Sequence, residues 1–424
     1  MVGAAASQTR QEHPLLSETR SRVLSASNAP IFFSFFTWGF GTGAQNLGRP
    51  LFALAVTGNV FLVGVLIALN AVPRFFTAPL TGYLADRLGR KPLVMLAPAI
   101  RGATNFGQFF ADDYLTFLGL ELIGQVGVAM WATSSNVLLS DITATSDRGR
   151  VLALRQMSMR MGFVAGPLLG GVLAAFYGLQ WVFLLNGITK VIIVLTVLFM
   201  VKETRPEPEA PGSSGTRRPR AFSLRPFRDR AFVALAFAAA GGAVAQAGIM
   251  QTLVPAHARL SLGSDEAAVG FLISFAALAA FLAAFPNGVI LDRLGRKVSL
   301  VPALLLLGAA SFLLSVGDTY AVLIVVVVIQ GVGGAMSMTG THAYAMDLAP
   351  VDSRGSFIGL ATAAQNVGAI AGPALAGALY HFVSPVSAFV AVGVLLVISA
   401  ALMAALGRET AGPRRVIVEE ESPD

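Results

Sequence analysis

Six ionisable residues stand inside stretches that are otherwise apolar: Arg49, Arg74, Arg101, Glu121, Arg160 and Lys190. Where lipid replaces water, a charge in such a stretch is costly, and each of the six is a functional candidate by default. Glu121 is the acid of the set, and two chemistries are open to it. It can titrate, coupling proton movement to the binding of a solute, with an arginine nearby keeping it ionised until its surroundings change. Alternatively, it can be a permanent counter-ion for Arg49 or Arg101. The excess of cations suits an anionic or amphipathic solute, although guanidinium groups also bind carbonyl-rich neutral molecules. All six charges lie in the first half of the chain. The second half offers neutral polar groups instead, such as Gln246, Gln251, Gln330, Thr339 and His342.

The elements that carry these residues follow from composition. The chain has 424 residues, 55% hydrophobic and 12% charged, about half the charge of a soluble domain. A membrane helix needs roughly 20 mostly apolar residues. Such runs fall near 31–56, 61–84, 93–110, 115–140, 153–176 and 179–201, then near 231–256, 267–290, 298–316, 320–346, 358–381 and 385–406. The expected organisation is a polar tail (1–30), a six-helix bundle (31–201), a Pro-, Gly-, Ser- and Arg-rich linker (202–230), a second bundle (231–406) and a tail (407–424). The net charge of +7 does not call for nucleic acid, because the basic residues sit in short runs between spans. Most loop cations fall on one face if both termini are cytoplasmic, as the positive-inside rule requires of a multi-pass protein of the cell membrane. There is no cysteine, and the four histidines are scattered. The chain therefore gives no sign of a metal site or a cofactor, and an enzyme is not expected.

The two bundles are copies. An offset of 206 residues, the distance from Asp86 to Asp292, aligns them without a gap over four helices. Asp86–Lys91 (DRLGRK) recurs identically as Asp292–Lys297, and Gly82 meets Gly288. Tyr114 meets Tyr320, Asp141 meets Asp347, and Gly162, Gly166 and Pro167 meet Gly368, Gly372 and Pro373. One register held over that length indicates a duplicated six-helix unit with the copies in parallel orientation. In each motif, Gly82 and Gly288 allow close helix approach while Gly89 and Gly295 permit a tight turn. Asp86 and Asp292 can accept hydrogen bonds or pair with arginines. Asp141 and Asp347 are natural partners for Arg90 and Arg296.

The loop Gly82–Lys91 (GYLADRLGRK) and its copy Gly288–Lys297 (GVILDRLGRK) resemble the signature loop of the major facilitator superfamily. That resemblance implies an all-α integral membrane fold of twelve transmembrane helices in two pseudo-symmetric six-helix bundles. It also implies alternating access about a midplane site, with a single chain expected to suffice. Gly82, Asp86, Arg87, Gly89, Arg90 and Asp141, with Gly288, Asp292, Arg293, Gly295, Arg296 and Asp347, would form the gating network. The fifth span carries Gly162, Gly166, Pro167, Gly170 and Gly171, similar to the antiporter signature of the family's drug:proton exporters. Because Gly372 and Pro373 repeat part of it, close helix packing explains the pattern equally well. In the fourth span, Glu121 stands where relatives carry an arginine implicated in proton transfer. If helices 1 and 4 line the cavity as in the family, Arg49 and Glu121 are the leading cavity pair. Arg101 would assist Glu121 in proton coupling, and Trp38, Trp131, Gln246, Gln251 and Gln330 would contribute to the substrate cavity. The expected function is proton-coupled efflux of small amphipathic molecules such as drugs or metabolites. The alternatives are an importer or exchanger of a sugar or organic anion, and a receptor that moves nothing.

Overall fold

The computed structural model describes residues 29–141, 143, 147–200, 225–350 and 354–410; the side chains at 75, 78, 79, 82, 85–88, 140, 141 and 356 fall outside the description. Of the expected gating residues, the contacts of Gly82, Asp86, Arg87 and Asp141 therefore lie outside it. Among the described residues there is no strand.

Twelve long helical elements follow one another: α1 (Ala29–Thr57), α2 (Val60–Leu69 and Ala71–Leu88), α3 (Arg90–Phe109), α4 (Tyr114–Asp141), α5 (Arg148–Tyr177) and α6 (Gln180–Met200) form the first set. After a short turn at Arg225–Arg228 come α7 (Arg230–Leu260), α8 (Glu266–Arg293), α9 (Arg296–Val316), α10 (Tyr320–Leu348), α11 (Arg354–Phe382) and α12 (Pro385–Leu406). By length and apolarity alone, eight of them qualify as membrane crossings: α4 to α10 and α12. The hydropathy of α1 and α3 is depressed by the residues that matter below, among them Gln45, Asn46 and Arg49 on α1 and Arg101, Asn105 and Gln108 on α3.

Two departures from regular helix were not expected. In α2 the helix is interrupted at Asn70. Pro73 supplies the reason, since it lacks the N–H that would bond to the carbonyl of Leu69. Within α7, Ala245–Leu253 winds as a π-helix, a form that recurs at functional sites. Both repeated loops are tight corners rather than extended connections. Gly89 (φ 91°) and Gly295 (φ 113°) turn the chain in the left-handed region, so α3 and α9 start directly on Arg90 and Arg296.

The duplication is visible in the packing. A Cβ on Gly64 (α2) would lie 2.2 Å from the Pro373 carbonyl oxygen of α11, and one on its repeat mate Gly270 (α8) 2.4 Å from that of Pro167 on α5. Likewise Gly377 approaches the Val60 oxygen and Gly171 the Glu266 oxygen, both at 2.7 Å by the same measure. The Tyr114 hydroxyl donates to Leu62 O at 2.8 Å, and the Tyr320 hydroxyl to Ala268 O at 2.8 Å. All four glycine contacts join the two bundles at the end of the helices opposite the DRLGRK corners. There Phe61 and Phe382 also meet across the bundles, ring centroids 5.5 Å apart. The rest of the glycine face serves packing inside each bundle. Gly162 and Gly166 seat α5 on the Phe36 and Phe40 carbonyls of α1, and Gly372 seats α11 on Val244 of α7.

Candidate functional site

Glu121 lies in the second turn of α4, fully buried, and α3 passes close beside it because α4 carries glycine at 124 and 127. A Cβ on Gly127 would come within 2.6 Å of the Ala97 carbonyl oxygen, and one on Gly124 within 2.1 Å of Arg101 Nη1. The missing side chains make room for the Arg101 guanidinium. Its Nη2 donates to both carboxylate oxygens of Glu121, at 3.2 Å (Oε1) and 3.0 Å (Oε2). From α1, Arg49 Nη1 donates to Oε1 at 3.1 Å. Three amides complete the set: Gln125 Nε2 donates to Oε1 at 2.6 Å, and Gln108 and Gln45 Nε2 to Oε2 at 2.9 and 3.2 Å. The carboxylate thus accepts at both oxygens from three helices. Taking one member from a buried, hydrogen-bonded pair costs about 3–5 kcal/mol, because the remaining charge is left unmatched.

The network extends to α6. Asn186 donates through Nδ2 to Gln45 Oε1, and Thr189 Oγ1 donates to Asn186 O at 2.7 Å. Lys190 on the same helix is fully buried, with Nζ 4.2 Å from the Trp38 ring centroid and 3.4 Å from Trp38 O. Hydrogen bonds therefore bring Arg49, Arg101 and Glu121 into one buried assembly with the amides, and Lys190 stands one turn beyond Asn186 on α6 against Trp38. Lys190, singled out as a charge within a span, and the amides Gln45, Gln108, Gln125 and Asn186 were not in the expected site. Each amide is a polar side chain in a long apolar run, but uncharged amides in spans are too common to single out.

The second bundle has no counterpart. At the offset of 206, Glu121, Arg101, Gln108, Asn186 and Lys190 correspond to Val327, Leu307, Leu314, Val392 and Leu396, all buried in an apolar core. Gln330, the mate of Gly124, donates to the Leu307 carbonyl at 3.4 Å. Gln330 therefore turns into its own bundle rather than toward a cavity between the two. Trp38 and Trp131 stack at 4.7 Å with an 8° interplanar angle and are buried in the first bundle's core, where Trp131 lines a small cavity with Ser34, Phe35, Val94 and Ser135. Gln246 is exposed and Gln251 half-buried on the π-helical stretch of α7.

At the second DRLGRK corner, Arg296 Nε donates to Asp347 Oδ2 at 2.7 Å and its Nη1 approaches Asp292 Oδ1 at 4.0 Å. Arg293 ends α8 at the same corner. Glu409, beyond α12, accepts from the backbone N–H groups of Arg296 (2.8 Å) and Lys297 (3.2 Å), capping α9. This role also went unread, although Arg408-Glu409-Thr410 repeats Lys202-Glu203-Thr204 at the same offset.

Gly124→Ala is expected to push Arg101 off Glu121 and lower the melting temperature of the purified protein by several degrees, the scale of about 1–3 kcal/mol of overpacking. An unchanged melting curve would mean that the α3–α4 approach has slack that these contacts do not suggest.

The profile of the Major Facilitator Superfamily matches residues 31–263 and 235–423. The chain is 27% identical over 334 residues to the class C tetracycline resistance protein of Escherichia coli, covering 75% of this chain and 79% of that one. It is 24% identical over 324 residues to Multidrug resistance protein 2 of Bacillus subtilis, covering 75% and 80%. Among solved structures, the nucleoside transporter NupG superposes with a TM-score of 0.77 at 15% identity, covering 89% of this chain and 99% of that one. The chain belongs to the Major Facilitator Superfamily: it is a multi-span membrane transporter of small molecules and not an enzyme.

Proposed function

We propose that this member of the Major Facilitator Superfamily exports small amphipathic molecules by alternating access, in exchange for protons, with Glu121 as the proton-carrying group. The cell membrane is its place, and the DRLGRK corners face the cytoplasm, since that orientation puts most of the loop cations inside. The two bundles of the proposed partition then touch at their extracytoplasmic ends, and the structure corresponds to an inward-facing state.

The observation that carries the reading is the Glu121 carboxylate held between Arg49 and Arg101. In an exchanger that takes up a proton from outside and releases it inside, the inward-facing state is the one in which the carrier has given its proton up. A carboxylate that accepts from two arginines and three amides suits that state. Drug-resistance relatives support the export direction. The glycine pattern of α5 does not add to it, because Gly162, Gly166 and Gly171 are accounted for by packing.

Reconstitution of the full chain in proteoliposomes tests the function, with tetracycline as the first probe. An imposed pH gradient should drive uptake above that of empty liposomes, and collapsing the gradient should remove it. Uptake that ignores the gradient would sink the proton coupling while leaving transport intact.

A further inference from the structure

Glu121 matches one positive charge, yet several cations surround it. Arg49, Arg74 and Arg101 lie near enough to act electrostatically on Glu121 and on one another, and Arg101 acts on Lys190. Among the described residues, the acids of the second bundle stand only at helix ends or beyond them: Glu266 pairs with Arg259, and Asp347 with Arg296. The middle of the protein therefore carries a net positive charge that no described side chain neutralises. At low dielectric such an excess attracts anions strongly.

Arg74 is the cation placed to use it. Arg49 and Arg101 each give Glu121 one terminal nitrogen; the other one of Arg49 donates to Asn46 Oδ1, and Arg101 Nη1, without an acceptor among the described residues, is buried. Arg74 spends only Nε, donating to Asn70 O at 3.0 Å, and its two terminal nitrogens have no acceptor among the described residues. Its side chain is exposed although it lies in the middle of a span. Before the break in α2, the helix is clamped on α11 through Gly64 and Pro373. Arg74 lies about 15 Å further along, at 1.5 Å per residue. On α5, Arg160 stands about 26 Å from the same end of its helix, and Arg74 about 21 Å from the same end of α2. Arg160 Nη1 donates at 3.3 Å to the carbonyl of Ala280, the residue of α8 that repeats Arg74 at the 206 offset. One bundle thus offers a guanidinium where the other offers a methyl group.

The geometry points to an organic anion as the substrate, its acidic group on the Arg74 fork and its apolar body toward the second bundle. This rests on the transporter reading above and narrows it to a substrate class. A planar guanidinium fork is suited to carboxylate, sulfonate and phosphate alike, and the charge excess favours an anion over a neutral molecule of the same shape.

Equilibrium binding to the purified full chain tests it, using 2-naphthoate and 2-naphthalenesulfonate against the neutral isostere 2-naphthamide and the cation tetraphenylphosphonium. The acids should bind at least about tenfold more tightly than the amide, the scale of one charge-assisted hydrogen bond. Arg74→Gln should erase that preference without weakening amide binding, and Arg74→Lys should keep part of it. The proposal is overturned if the amide or the phosphonium matches the acids, if neither acid binds at millimolar concentration, or if Arg74→Gln discriminates as the parent does. Counterflow of the same probes in proteoliposomes separates the two claims. Acids that bind but never exchange would refute transport and leave the anion site standing; exchange of the phosphonium alone would do the reverse.

Discussion

Replacing Glu121 with glutamine should abolish transport driven by a pH gradient, by about 100-fold or more, while counterflow of substrate stays within a few-fold of the parent. Glutamine fills the same volume and keeps one acceptor oxygen, but it holds no charge and releases no proton. If Glu121 carries the proton, the variant resembles the loaded state permanently, and exchange without net proton movement remains possible. If instead Glu121 is only a counter-ion, the substitution leaves Arg49 and Arg101 unmatched in a buried place, a cost of about 3–5 kcal/mol. The protein would then lose stability and both activities together. Gradient-driven uptake that survives Glu121→Gln would remove Glu121 from the coupling mechanism.

The second large effect is expected at the contacts that close one end of the protein. A Cβ at Gly64 or Gly270 would sit 2.2 or 2.4 Å from a backbone oxygen of the opposite bundle, far inside van der Waals contact, and backbone cannot rotate away as a long side chain can. Valine at either position should prop that end open. With an overpacking cost of about 1–3 kcal/mol, the closed population should fall roughly 5- to 150-fold, and transport with it. The chain contains no cysteine, so a single introduced pair reports cleanly. Cysteines replacing Phe61 and Phe382, whose rings are 5.5 Å apart, should cross-link readily in the parent and poorly with Gly64→Val. Equal cross-linking in both would show that these glycines do not govern closure.

Much of this arrangement could be read from the residues. Apolar runs gave the helices to within a few positions, and the repeated DRLGRK located both tight corners because glycine is needed where φ is positive. Charge in an apolar run singled out Glu121, Arg49 and Arg101, which do meet. The failures have a common cause. Helical periodicity says that a residue is on a face, but not which neighbour that face meets. Trp38 and Trp131 therefore looked like cavity aromatics, although stacking buries them. Lys190 on α6 looked remote from the pair on α1 and α4, although α6 packs against both α1 and α3. A proline within an apolar run is common in membrane helices, so nothing marked Pro73 as the one that interrupts α2. No residue type announces the π-helical turn of α7. Glu409 acts through backbone N–H groups 113 residues earlier in the chain, beyond any local pattern.

Alternation between two end-closed states is the centre of the account, and paired spin-label distances in the otherwise cysteine-free chain test it most directly. One pair, at Tyr177 and Leu260, spans the bundles at the end now closed. The other, at Arg150 and Leu294, spans them at the DRLGRK end; all four positions are exposed. Across a pH titration in nanodiscs, the account predicts that a population appears in which the first distance lengthens while the second shortens, and that Glu121→Gln holds that population at every pH. Distances that stay fixed across the titration, or that lengthen and shorten together, would contradict it.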